Sequence, residues 1–116
     1  MDTQLKQSGF SPRQVCDIAG HVVNNEGSIV SRTLLNSKCG SLTLFAFAEG
    51  QRLSEHTSPY DAFVHVLEGT AQVVIAGEKY EVGPGKVILM PANVPHAVNA
   101  PTNFKMLLTM FKAANE

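Results

Sequence analysis

Two histidines forty positions apart, His56 and His96, are the side chains best suited to chemistry near neutral pH. Imidazole titrates close to pH 6.5, so it can take or give a proton, and it is the commonest transition-metal ligand. His56 is followed closely by Ser58, Tyr60 and Asp61, which add a hydroxyl, a phenol and a carboxylate. Such a set, gathered at one place, supports three kinds of chemistry. It can orient a small polar or carboxylate ligand in a concave pocket. A histidine can act as a general base. With a carboxylate or waters, the histidines can hold a metal that activates dioxygen or water. His56 and His96 are therefore the candidate catalytic residues. The bland alternative is ordinary packing, with each imidazole satisfied by hydrogen bonds. His65 has the wrong parity relative to Ala62 and is expected on an outer face, at a subunit or sheet contact. His21, next to Gly20, is expected in a surface loop.

The elements that must position these residues read as β-strands. Residues 28–35 (SIVSRTLL) are rich in branched side chains, and 41–48 (SLTLFAFA) alternate small and large apolar ones. Further runs cover 63–67, 71–75, 79–82, 86–90, 96–100 and 104–111. Glycine, proline and asparagine punctuate them at Gly40, Gly50, Gly69, Gly77, Gly83-Pro84-Gly85 and Pro91-Ala92-Asn93. Short strands at roughly ten-residue spacing indicate an all-β sandwich or barrel. Upstream, Ser11-Pro12 pairs a capping hydroxyl with proline at a first helical position, so a short helix over 12–18 is expected, ended by Gly20. Residues 1–9 are polar and expected to be flexible.

Length and composition bound the rest. A chain of 116 residues is expected to form one domain, 1–116, with a core of its own. Net charge is −1 with no basic run, which argues against a nucleic-acid partner. The apolar runs are too short to span a membrane, and the first ten residues lack the apolar stretch of a secretory signal. A cytoplasmic location and free thiols at Cys16 and Cys39 follow as expectations. Hydrophobic residues make up 44% and charged residues only 16%. The stretches 41–48 and 104–111 are apolar on both faces. One face can fill a barrel; the other needs a cover, and a second copy of the chain is the simplest one. A homodimer is expected.

The pattern Gly50-x5-His56-x-Ser58-x3-Ala62-x6-Gly69 resembles the first motif of the cupin family, and Gly85-x5-Pro91-x-Asn93-x2-His96-x3-Ala100 resembles the second. The resemblance covers about the central half of the chain and implies a small bacterial cupin: a double-stranded β-helix, a jelly-roll-like barrel. It also implies that His56 and His96 converge at one end of the barrel interior. Asn93 stands where the motif has glycine, and asparagine tolerates the left-handed backbone such a turn demands. In the family, two histidines and a glutamate of the first motif and one histidine of the second typically hold a divalent metal. Here only His56 and His96 match; Ser58 and Ala62 replace the other two. Metal sites usually hold at least three strong protein ligands. His56 and His96 are thus the candidate metal ligands, with Asp61 a third if the backbone turns it inward, and Zn, Ni, Fe or Mn all remain open.

The functional expectation is a small-molecule-binding cupin with an interior pocket lined by His56 and His96. Candidate ligand-binding residues are His56, Ser58, Tyr60, His96, Met90 and Met106, with Val64, Val66 and Met110 as apolar lining. Core filling is the competing role for each methionine. The enzyme question stays open: the alternatives are a metal-dependent dioxygenase or isomerase and a metal-free epimerase or isomerase using a histidine base.

Overall fold

A computed structural model of the chain describes residues 10–113. The expected flexible segment 1–9 lies outside the described residues. Among those described, nine strands form two antiparallel sheets: β1 (Ile29–Asn36), β2 (Gly40–Phe47), β3 (Arg52–His56), β4 (Tyr60–Glu68), β5 (Ala71–Ile75), β6 (Glu78–Val82), β7 (Val87–Met90), β8 (His96–Asn99) and β9 (Phe104–Lys112). The larger sheet runs β1-β2-β9-β4-β7 and the smaller β3-β8-β5-β6. This is the expected all-β, jelly-roll arrangement.

The two sheets enclose the principal core. Alternate residues of β4 (Ala62, Val64, Val66) point inward and meet Met106 and Phe104 of β9 and Val73 and Val98 of the smaller sheet. Phe47 and Phe104, cross-strand partners, stack with centroids 4.6 Å apart and plug one end. That closed end also carries Gly69, whose φ of 71° and close approach to Asn103 exclude a side chain. The opposite end is open. There the loops 57–59 and 91–95 join β3 to β4 and β7 to β8, tied by a hydrogen bond from the Asn93 amide to the Ser58 carbonyl (2.7 Å). Asn93 adopts φ 65°, the left-handed conformation expected of it.

The short N-terminal helix exists, but not over 12–18. It is a single 3-10 turn, Ile18–His21, and Gly20 lies inside it instead of ending it. Arg13 has φ 67°, which breaks any helix at its second residue. The segment has another job. Val22, with Phe10 and Ile18, packs on the outward face of β2 and its neighbours, burying Leu44 and Ala46 to 0% exposure. Lys105 Nζ donates to the Ala19 carbonyl (2.8 Å) and Arg32 to the His21 carbonyl (3.1 Å), which pins the segment there. So half of the face expected to need a second copy is covered by the chain itself. His21 is accordingly not a free loop residue: it is half-buried, edge-on to Phe10.

Candidate functional site

His56 ends β3 and His96 opens β8, and the two are register partners. Their inward side is fixed by the strands: the same ladder places His96 opposite Ile75 of β5, and Ile75 opposite Glu78 of β6. His96 is 5% exposed and His56 is exposed, so the pair runs from the interior to the open end. The rings meet edge to face at 4.4 Å, with Nε2 to Nε2 at 3.2 Å.

The outer nitrogens decide what this contact can do. His56 Nδ1 lies 2.9 Å from the Ser54 carbonyl and His96 Nδ1 lies 3.1 Å from the Val94 carbonyl. A carbonyl only accepts, so each Nδ1 must carry its proton to make these bonds. The neutral pair then sets two Nε2 lone pairs side by side, with the nitrogens 3.2 Å apart. Such a pair calls for a donor: a proton, or an O–H or N–H of a bound molecule.

Burial depresses the His96 pKa below its ordinary value; the Val94 hydrogen bond opposes this and the neighbouring His56 adds to it. Protonation of His96 is therefore harder in the folded chain than in the unfolded one. The stability contributed by neutral His96 is complete above about pH 6.5, the unfolded value, and declines as pH falls toward the folded one. Imidazole NMR should give a His96 midpoint below that of a free histidine, and denaturation midpoints should drop between about pH 7 and pH 5. A His96 midpoint above about 6.5 would contradict the buried, neutral assignment.

The other candidates are placed as follows. Ser58 accepts a hydrogen bond from the Tyr60 amide (3.0 Å), so its hydroxyl shapes the loop beside His56. Tyr60, half-buried, shares the inward parity of Ala62 and stands at the open end. Met90 is Ala62's cross-strand partner and is 3% exposed. Met106 is 1% exposed and pairs with Val66 and Phe45 deep in the core, as tightly packed as Val64 and Val66 themselves. Met110, also opposite Ala62, is half-buried. Asp61 sits on a regular strand with the opposite parity to Ala62, and its Oδ1 accepts from the Ala92 amide (2.9 Å). It braces the loop 91–95 and does not turn toward the histidines. His65 lies on the outward face between Val87 and Leu107.

One group escaped the sequence reading. Glu78 and Tyr80 share the inward parity of β6, and the Tyr80 hydroxyl donates to Glu78 Oε1 (3.0 Å). That bond and the carboxylate's charge raise the Tyr80 pKa. The signal was present: Ala76 and Gly77, both with positive φ, form a two-residue hairpin turn that fixes the β5–β6 register.

A divalent metal is tested by its donors. Two imidazole nitrogens 3.2 Å apart match adjacent ligands of one ion, which at about 2.1 Å per bond would be roughly 3.0–3.4 Å apart. Two are not enough. Among the described residues no group of three His, Cys, Asp or Glu side chains is placed to hold an ion. Ser58 and Ala62 occupy the other positions and Asp61 is committed elsewhere, so the residues present do not fit a resident metal of the family's four-ligand kind.

Two antiparallel sheets closed over one core, with polar side chains gathered at one end, define a jelly-roll protein. The cupin domain profile matches residues 43–111, more than half of the chain. A conserved protein of unknown function from Streptococcus pyogenes is 36% identical with a TM-score of 0.85, covering 90% of this chain and 91% of that one. A cupin superfamily protein from Desulfitobacterium hafniense is 26% identical with a TM-score of 0.83, covering 89% and 94%. Among curated relatives, the chain is 27% identical over 70 residues to polyketide synthase CurC of Streptomyces cyaneus, 60% of this chain and only 46% of that protein's length. The chain belongs to the cupin family.

Proposed function

We propose that this cupin binds a small organic molecule at the open end of its barrel, with His56 and His96 as the polar anchor and no resident metal. The observation that carries this reading is the approach of the two Nε2 atoms to 3.2 Å, with each ring held by an Nδ1–carbonyl bond. A ligand that brings an O–H or N–H satisfies them; a carboxylate would add a third acceptor. Leu53, Ile75, Ile88 and Met110, all half-buried against the core, supply an apolar bed for the rest of the molecule. Tyr60, with the Tyr80–Glu78 pair across the smaller sheet, adds polar groups at its rim.

The same pair supports a second reading, a metal-free histidine-base isomerase. His56 is reachable from solvent and its partner is buried, so a proton taken by one can be passed to the other.

Two measurements test the binding reading. Elemental analysis of protein purified without tag or chelator should give clearly substoichiometric transition metal. One equivalent, lost in His56→Ala, would overturn the metal-free assignment. Imidazole 15N spectra should move at the Nε2 of both histidines with a neutral polyol or amide probe and not with acetate at neutral pH. The reverse order would sink the donor-ligand argument. Turnover of any such probe, lost in His96→Gln, would move the function to the isomerase.

A further inference from the structure

The histidine pair stands at one end of a row. Across the inward face of the smaller sheet, at its open end, the register partners run His56 of β3, His96 of β8, Ile75 of β5 and Glu78 of β6. Adjacent strands lie about 4.8 Å apart, so the Glu78 Cα is roughly 10 Å from that of His96. The far end of the row is held in place. The turn Ala76-Gly77 fixes the β5–β6 register, and the Ala76 amide donates to the Pro95 carbonyl (2.9 Å), one residue before His96. The Glu78 end cannot slide against the histidine end without breaking that bond and the ladder.

The two ends differ in chemistry. The Nε2 atoms of His56 and His96 are neutral acceptors, and His96 is buried. Glu78 is a solvent-exposed carboxylate. Among the described residues it makes no ion pair, and its Oε1 accepts from the Tyr80 hydroxyl (3.0 Å). That bond, between residues two apart on one strand face, lays the carboxylate along β6. Lys79 between them alternates to the opposite face. Ile75, half-buried against the core, separates the two ends with apolar surface.

Charge decides which end of a ligand goes where. An ammonium at the histidines would lose hydration beside a buried imidazole. At Glu78 it keeps contact with water, meets an unpaired negative charge and can rest on the face of the Tyr80 ring. A carboxylate is disfavoured at both ends. On the reading that the histidine pair anchors a small molecule, we infer that Glu78 selects what that molecule carries at its other end. The ligand class is an amino alcohol or amino amide: a neutral O–H or N–H at His56 and His96, a short apolar stretch over Ile75, and an ammonium at Glu78. The side chains shorten the Cα separation to a span of about 6–8 Å, which a chain of about five carbons fills.

The probes are 5-amino-1-pentanol and 1,5-pentanediol, equal in length and different in the ammonium. Imidazole 15N titrations of the full chain at about pH 8 and low ionic strength read both affinities at the Nε2 atoms. The amino alcohol should bind about three- to five-fold tighter, the scale of an ion pair at an exposed site, and the preference should shrink in about 0.5 M salt. Glu78→Gln should bring the two probes to near parity. Glu81→Gln removes the same charge from the opposite face of β6 and should leave the preference intact. 2-Aminoethanol, too short to span the row, should show no preference over ethylene glycol. Equal affinities for the long probes, or a preference that survives Glu78→Gln, overturn the Glu78 assignment while the Nε2 response to both probes keeps the histidine anchor standing. A preference lost as fully in Glu81→Gln, or shared by the short probes, is general charge attraction and overturns the assignment as well. Nε2 signals that answer to neither long probe overturn the anchor itself, and the Glu78 assignment with it.

Discussion

Replacing Gly69 by alanine should cost the fold about 4 kcal/mol, and the same change at Gly85 about 1. Both glycines have positive φ, 71° and 79°, where an L side chain costs roughly 1–2 kcal/mol. They differ in what surrounds them. A Cβ on Gly85 meets nothing within 4 Å, whereas on Gly69 it would lie 2.0 Å from the Asn103 carbonyl oxygen and 2.8 Å from Phe104 Cα. Those neighbours are backbone at the start of β9, beside the stacked Phe47–Phe104 pair, and cannot yield without moving the plug of the barrel. Overpacking of this kind adds about 1–3 kcal/mol. For a domain whose whole stability is about 5–15 kcal/mol, Gly69→Ala should lower the thermal midpoint by roughly 15–20 °C. Urea melts of the two variants at one temperature measure the difference. Equal losses would show that backbone angle alone matters at both positions.

That contrast illustrates what the sequence reveals and what it conceals. The turn glycines are visible as residue types, and so are the strands between them, because branched and aromatic runs bounded by turn residues have few other uses. Residues 71–75 were located to the residue. The strand Arg52–His56 was not anticipated: RLSEH is nearly all polar, since only Leu53 and His56 face inward and the rest of it lies at an exposed edge. The covering role of residues 10–22 was hidden for a different reason. Nothing local in that segment marks an extended chain docking on a sheet, and Ser11-Pro12 favours a helix on propensity alone. Tertiary contacts with Leu44 and Leu107 decide the matter. Convergence of His56 and His96 was legible only through the family spacing. Their Nδ1–carbonyl bonds, which turn two histidines into a pair of acceptors, depend on ring orientation and have no sequence signature.

Restoring the two donors that the family spacing marks as missing gives the second large effect. The double variant Ser58→His, Ala62→Glu should bind one transition-metal ion per chain, where the parent holds clearly less. Ala62 points inward, 3% exposed, between Met90 and Met110 near the open end, so a glutamate there reaches toward the two Nε2 atoms. Without metal that carboxylate is a buried, unpaired charge, and the apo variant should be less stable than the parent. With metal the sign reverses. An ion present at about a thousand times its dissociation constant stabilises the folded chain by about 4 kcal/mol, a rise of roughly 15–20 °C in midpoint. The parent's midpoint should move little in the same zinc solution, and His96→Ala in the double variant should abolish the rise. The design works only if the two Nε2 lone pairs share a focus. An ion-free double variant that still folds would mean that they do not, and the acceptor pair on which the ligand-binding reading rests would fall with it.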